Sequence, residues 1–211
     1  MGIVHVKVCG LSEPETLDAA VRAGADWVGF VLVPQSPRAV TLETLRALLP
    51  RIESSVPVAL LCDPDDGLVA RVVEAGVPVI QLHGSESPER LSEIKRLSGK
   101  EVWKAIGVGS REDVSGAHAY IEADRLLLDA KPPEGATRTG GHGTAFDWSV
   151  LSGAEIHRPW MLAGGLTPGT VASAISATGA RAVDVSSGVE RARGLKDAGL
   201  IKAFVEAAKH G

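Results

Sequence analysis

The residues in this chain that could do chemistry stand at the ends of short apolar runs. Cys9 closes a run over 4–9, with Lys7 two positions before it. Side chains of an extended segment alternate, so Lys7 and Cys9 share a face, as do Leu127 with Asp129 and Asp184 with Ser186. Asp129 ends the apolar run 125–128. An inward carboxylate there costs several kcal/mol unless it is paired or useful; capping the next loop is the alternative. Read alone, Cys9 and Cys62 are core fillers, because free cysteine is among the most buried residue types. His83, after Gln81-Leu82, reads as a structural histidine or a site residue, and Arg38, after Ser36-Pro37, as a solvated loop residue or a site residue. The strongest pair is Gly164-Gly165 with Ser186-Ser187-Gly188, two glycine-bearing turns after successive runs. Glycines let backbone N–H groups approach an anion, and the helix that Thr167-Pro168 would open adds a favourable dipole. That pair predicts phosphate binding.

The elements that must position these residues recur along the chain. Apolar, β-branched runs stand at 4–9, 27–33, 57–62, 77–82, 102–106, 125–128, 160–163 and 182–185. Each is short and nearly all apolar, as strands buried on both faces of a parallel sheet are. Helical spacing fills the intervals. Ser12-Glu13-Pro14-Glu15 predicts a capping box, and Ser87-Pro88 and Thr167-Pro168 each predict a cap before proline at the first helical position. Gly24, Gly76, Gly99 and Gly179 mark helix ends. These glycines space the units at about 26 residues each, and eight such units fill the chain. The expected fold is therefore α/β, a single (β/α)8 TIM barrel with parallel strands over 1–211. An open doubly wound sheet is the alternative, but its GxGxxG fingerprint after the first strand is missing. In such barrels the chemistry sits at the carboxyl ends of the strands, where all the residues above fall. The loops after strands 7 and 8 commonly hold phosphate. The one long irregular stretch, 131–145, reads as a functional or disordered loop.

Composition narrows the function classes. The chain has 211 residues, 45% hydrophobic but only 4% aromatic, so the core is aliphatic. Twenty-six acids against 22 Lys+Arg give a net charge of −4, which argues against a dedicated nucleic-acid binder. The longest apolar run is too short to span a bilayer, and no secretory signal is visible. Two cysteines without CxxC spacing make neither a disulfide framework nor a zinc site, so a cytoplasmic protein with free thiols is expected.

Val6-Lys7-Val8-Cys9-Gly10-Leu11, Ser36-Pro37-Arg38, Gln81-Leu82-His83-Gly84, Leu128-Asp129, Phe146-Asp147-Trp148, Leu162-Ala163-Gly164-Gly165-Leu166 and Val183-Asp184-Val185-Ser186-Ser187-Gly188-Val189-Glu190 stand in this order, followed by Gly194, Lys196 and Asp197. Together they closely resemble the phosphoribosylanthranilate isomerases of tryptophan biosynthesis, from Lys7 to about Phe204. The resemblance implies an Amadori rearrangement of N-(5-phosphoribosyl)anthranilate to 1-(2-carboxyphenylamino)-1-deoxyribulose 5-phosphate, with no cofactor and no metal. Asp129 matches the general acid that protonates the ribose ring oxygen, and Cys9 the base that removes the C2′ proton. Arg38 matches the residue that holds the anthranilate carboxylate. Gly164, Gly165, Ser186, Ser187 and Gly188 match the phosphate cradle, and His83 and Asp184 lie in matched motifs near the substrate. The implied partner is a small-molecule phosphosugar, with neither nucleic acid nor membrane, on a monomer or weak homodimer. Strands 1 and 6 face each other across an eight-stranded ring, so an acid and a base on them can flank a sugar. Lys7 would favour the Cys9 thiolate by its charge, and low-dielectric surroundings would favour protonated Asp129. One departure concerns the loop before Phe146: the family's G-G-[ST]-G-[KR]-T pattern here reads Gly140-Gly141-His142-Gly143-Thr144-Ala145. Lys131, Arg138 or His142 are the candidates to replace the missing cation. The competing readings are a metal-dependent phosphosugar epimerase, which would want a His/Asp constellation, and a non-catalytic phosphosugar binder, which would need neither Cys9 nor Asp129.

Overall fold

The structure, a computed structural model, describes residues 2–131, 148–151, 154 and 156–211. Eight parallel strands close into a barrel in chain order: β1 (His5–Cys9), β2 (Trp27–Val31), β3 (Val56–Leu61), β4 (Val79–Leu82), β5 (Glu101–Val108), β6 (Arg125–Ala130), β7 (Trp160–Leu162) and β8 (Ala182–Val185). β8 pairs with β1, Lys7 opposite Asp184, and so completes the ring. The strands lie where the apolar runs predict them, with ends shifted by a few residues. The helices are α1 (Pro14–Ala23), α2 (Leu42–Leu48), α3 (Asp66–Glu74), α4 (Pro88–Ser98), α5 (Arg111–Gly116), α6 (Val171–Thr178) and α7 (Ala198–His210). Between β6 and β7 the described residues hold one 3-10 turn, Trp148–Leu151. Most of the irregular stretch 131–145, with Arg138 and His142, lies outside the described residues, as do Phe146 and Asp147. A small antiparallel hairpin, β9 (Glu190–Ala192) and β10 (Leu195–Lys196), follows β8.

Strand parity sorts the apolar side chains into two layers. Val58, Val79, Trp103, Ala105, Leu127, Met161, Ala163 and Ala182 fill the barrel interior. Strand residues of the other parity, such as Val8, Phe30, Ile80, Val102 and Leu128, belong to the second, larger core that includes the buried faces of the helices. At the amino end Arg125 lies 4.7 Å from the ring of Trp27 and 5.3 Å from that of Trp103. The barrel is thus closed below by Trp27, Trp103 and the Arg125 cation over their rings, and the candidate site residues lie toward the carboxyl end.

Two helix starts differ from expectation. The α1 cap is Glu13, not Ser12, and it makes no side-chain capping bond. Pro14 takes the first helical position, which moves the cap to the residue before it and breaks the Ser12–Glu15 spacing. Thr167-Pro168 opens a turn, not a helix: Thr170 Oγ1 accepts from Thr167 N at 3.0 Å, and α6 begins only at Val171. Ser87 does cap α4, accepting from Arg90 N. Gly24, Gly99 and Gly179 end their helices in the left-handed region, and Gly76 adopts it one residue past the Ala75 cap.

Candidate active site

Cys9 ends β1 facing the barrel interior, buried beside Val31 and Leu60. Its seat depends on Gly29, its register partner on β2. A Cβ on Gly29 would lie 2.8 Å from Cys9 Sγ and 3.1 Å from its Cα. Below the thiol, fully buried Lys7 donates to Asp184 Oδ1 at 2.8 Å. Burial works to lower the Lys7 ammonium, but Asp184 and the Cys9 thiolate outweigh it and hold Lys7 above its ordinary value. Burial likewise pushes the Cys9 thiol up. Lys7 and Lys196 pull it down without prevailing, and Asp184 adds to the rise. Lys7 thus favours the thiolate by its charge, as expected, but does not prevail. Much of the lysine's field is matched by Asp184, and desolvation wins.

Across the ring Asp129, the penultimate residue of β6, pairs in register with Gly107. His83, just past β4, places Nε2 3.4 Å from Asp129 Oδ2. Its Nδ1 lies 3.1 Å from Gln81 Nε2. Glu86 holds the loop that carries His83, accepting from Asp63 N at 2.7 Å, Gly84 N at 3.0 Å and Lys104 Nζ at 2.8 Å. Lys104 and Glu86 are both buried, an ion pair satisfied by these further hydrogen bonds.

Arg38 lies in the loop after β2, as expected, but already has a carboxylate partner. Its Nε donates to Glu190 Oε1 at 2.5 Å and its Nη2 to Oε2 at 3.0 Å. That side-on fork leaves the end-on edge of the guanidinium, through Nη1, for a second anion. Glu190 also accepts from Lys196 Nζ at 2.9 Å and from Gly194 N at 3.0 Å. Burial acts to raise the Glu190 carboxyl, but Arg38 and Lys196 overcome it and hold it at about 2. Lys196 in turn donates to Ser186 O and Oγ. One buried network therefore links the loop after β2, the hairpin and the loop after β8.

The two glycine-bearing turns sit side by side. Gly164 and Gly165 have φ of +89° and +65°, conformations that favour glycine. A Cβ on Gly164 would strike the backbone of Ala130, and one on Gly188 the carbonyl oxygen of Leu166. Ser187–Val189 forms a single 3-10 turn. The close backbone approach of the β7 and β8 loops is what a small anion held by N–H groups requires.

All ten candidate residues thus stand at the carboxyl rim. Asp184, His83 and Arg38 each have protein partners there, and the solvated reading of Arg38 does not hold. Lys131 ion-pairs with Asp113 at 3.1 Å, and the loop whose cation is missing lies outside the described residues. Among the described residues no group of three or more His, Cys, Asp or Glu is placed to hold a metal. No disulfide joins Cys9 and Cys62. Reading residues one at a time missed Gly29 and the Lys104–Glu86 pair, and it gave Gln81, named only within a motif, no role. Glu190 and Lys196 stood in the matched motifs, yet nothing in their spacing tied them to Arg38.

Fold and rim define a (β/α)8-barrel enzyme with an interior thiol on β1 and an interior carboxylate on β6, three strands apart around the ring. The family described as N-(5'-phosphoribosyl)anthranilate (PRA) isomerase matches residues 6–207, and the chain belongs to that family. It is 55% identical over 207 residues to N-(5'-phosphoribosyl)anthranilate isomerase of Hyphomonas neptunium, covering 98% of each chain. The enzyme of Rhodopseudomonas palustris strain BisB5 is 51% identical over 209 residues, covering 98% of this chain and 96% of its own. Among solved structures, phosphoribosyl anthranilate isomerase from Thermotoga maritima superposes with a TM-score of 0.89 at 36% identity, covering 98% of this chain and 99% of that one. A phosphoribosyl anthranilate isomerase in complex with reduced 1-(o-carboxyphenylamino)-1-deoxyribulose 5-phosphate gives 0.86 at 33% identity and the same coverage. No described helix is long and apolar enough to cross a membrane.

Proposed function

We propose that this isomerase carries out the Amadori rearrangement of N-(5-phosphoribosyl)anthranilate with Asp129 as general acid and Cys9 as general base. The observation that carries the assignment is their placement on β6 and β1, across the ring from each other at the carboxyl rim. A sugar between them meets an acid on one side and a base on the other. Asp129 gives its proton to the ribose ring oxygen as the C1′–O bond breaks. The anthranilate nitrogen supplies the electron pair for a C1′=N bond, leaving a protonated Schiff base. Cys9 then removes the C2′ proton, and the C–H electrons form the C1′=C2′ bond of an enolamine, which tautomerises to the ketose. The resting Cys9 is a thiol, held so by burial. The iminium charge beside C2′ acidifies that C–H and favours the thiolate at the same moment, so base strength appears when it is used.

The rest of the rim positions the substrate. Arg38 takes the anthranilate carboxylate on its end-on edge, and Gly164, Gly165, Ser186, Ser187 and Gly188 cradle the phosphate. His83 attends Asp129, and Asp184 fixes Lys7 beneath Cys9. The reaction calls for no cofactor or metal. The chain works as one barrel domain over 1–211, as a monomer or weak homodimer in the cytoplasm, with a small phosphosugar as its ligand.

A fluorescence assay of anthranilate-substrate turnover on Cys9→Ala and Asp129→Asn tests the roles. Each variant should lose roughly 10²–10⁴-fold in kcat with unchanged circular dichroism. Near wild-type kcat in either one removes that residue from its role.

A further inference from the structure

Gln81 is a buried polar side chain that the mechanism above does not use. It lies inside the barrel on β4, fully buried, level with Trp103 of β5 and Leu60 of β3. Its Nε2 stands 3.1 Å from His83 Nδ1, and its Oε1 has no hydrogen-bond partner among the described residues. A buried amide with an orphaned oxygen costs about 1–3 kcal/mol, and leucine or methionine would fill the same space without that cost. The amide therefore needs a use that offsets its burial.

His83 supplies one. A neutral imidazole carries one proton, and the partner of one ring nitrogen decides where it sits. An amide N–H facing Nδ1 makes Nδ1 the acceptor and puts the proton on Nε2. Nε2 is the atom 3.4 Å from Asp129 Oδ2. The opposite amide orientation would put the proton on Nδ1 and aim the Nε2 lone pair at the Asp129 carboxylate. Lone pair against anion is repulsive, so only the donor orientation, with Gln81 Nε2 facing Nδ1, serves the carboxylate formed on ring opening. The orphaned Oε1 is the consequence of that orientation.

We infer that Gln81 is a positioning residue: it locks His83 as the Nε2–H tautomer, so that His83 donates to the Asp129 carboxylate formed as the ribose ring opens. The inference rests on Asp129 being the acid. Once Asp129 has released its proton, its carboxylate is the group whose charge must be stabilised. A neutral N–H donor already aimed at it stabilises the transition state more than the protonated ground state, which is the kind of interaction that raises kcat. The separation of 3.4 Å is long for a hydrogen bond, as catalytic bonds often are before substrate binds. Glu86 and Lys104 pin the backbone at Gly84, which fixes the loop that carries His83.

The experiment is long-range proton–nitrogen NMR on the full chain labelled with 15N-histidine, with His83 assigned by its loss in His83→Asn. In the unsubstituted protein the His83 ring should show a protonated Nε2 and a bare Nδ1. That measurement needs no core variant, so a folding failure cannot mask it. A protonated Nδ1 there would overturn the inference. Gln81→Met and Gln81→Leu should release the preference and lower kcat about ten- to a hundred-fold, as loss of an orienting partner typically does, with KM little changed. A purely packing role for Gln81 predicts instead that the tautomer stays as it was, and that result would also overturn the inference. Failure of the acid assignment looks different: Asp129→Asn would stay active while the tautomer still followed Gln81.

Discussion

In the proposed mechanism Arg38 carries two duties on one guanidinium. Its side-on edge is held by buried Glu190, which leaves the end-on edge for the substrate carboxylate. A lysine offers one compact charge on a flexible stem and cannot serve both edges. A hydrogen bond to a charged group is worth about 1.5–3 kcal/mol, so Arg38→Lys should lose roughly 10–150-fold in kcat/KM. Arg38→Ala should lose at least as much. Steady-state kinetics on both variants checks this, and an Arg38 that served only the loop's own structure would leave kcat/KM unchanged. The position of Arg38 was legible in the sequence, as was that of Cys9 and Asp129, because chemistry at strand ends follows from the barrel itself. Its partner was not: 152 residues separate Arg38 from Glu190, and no periodicity reports a contact at that range. The balance that keeps the Cys9 thiol high was not legible, for a related reason. Spacing along β1 reveals Lys7, whereas Asp184, which matches much of its charge, arrives from β8.

Strands and loops place these groups, and two pairings make that testable. β2 passes Cys9 with glycine at the register position, leaving room for the thiol. Gly29→Ala should push Sγ from its seat, and a misplacement of about 1 Å can cost about 10²-fold. The expected result is a kcat roughly 10²-fold lower with circular dichroism unchanged; wild-type kcat would show that the seat is adaptable. The hairpin β9–β10 is the second case. The Glu190 carboxyl, ordinarily at 4.5, sits at about 2 in the folded protein. The folded state therefore binds this proton less readily than the unfolded chain. The pair's stabilisation is full above about pH 4.5 and is lost as pH falls toward 2. At about 1.4 kcal/mol per pKa unit the amount is roughly 3 kcal/mol. Urea denaturation of Glu190→Gln between pH 7 and 3 should show lower stability at pH 7 and a shallower loss on acidification. Parallel slopes would place the acid sensitivity elsewhere. At this scale legibility was uneven. Strands were readable because burial on both faces leaves little but aliphatic residues. Caps were readable where one residue decides, as at Ser87, and misread at Ser12 and Thr167, where proline or a preceding turn shifts the first helical residue.

The whole molecule divides its work between two ends of one barrel. The amino end is closed by Trp27, Trp103 and the Arg125 cation over their rings, and the carboxyl end holds every residue assigned to substrate. Ring closure is a long-range event, since β1 must find β8, and α7 secures it from outside. This helix packs against α1 and β1. Lys209 near its end donates to Gly24 O at 2.6 Å and pairs with Asp26 at 3.0 Å. Asp26 in turn accepts from Val6 N at 2.8 Å. Phe204 is the large side chain that α7 buries completely. Truncating such a phenylalanine costs about 3–5 kcal/mol, a large share of the 5–15 kcal/mol a typical fold commands. In a chain of this size that corresponds to roughly 6–20 °C in Tm. Phe204 lies in the core outside the barrel interior, on the far side of the β1 backbone from Cys9. Phe204→Ala should therefore lower Tm by that amount while kcat at 25 °C stays near wild-type. Gly29→Ala acts on the rim and should move kcat alone, whereas Glu190→Gln, which releases both Arg38 and Lys196, should move kcat/KM and Tm together. Measuring kcat, kcat/KM and Tm on all three variants tells the three effects apart. A Phe204→Ala protein that kept its Tm and lost kcat would mean that the outer helices position the catalytic groups as well as cover the barrel.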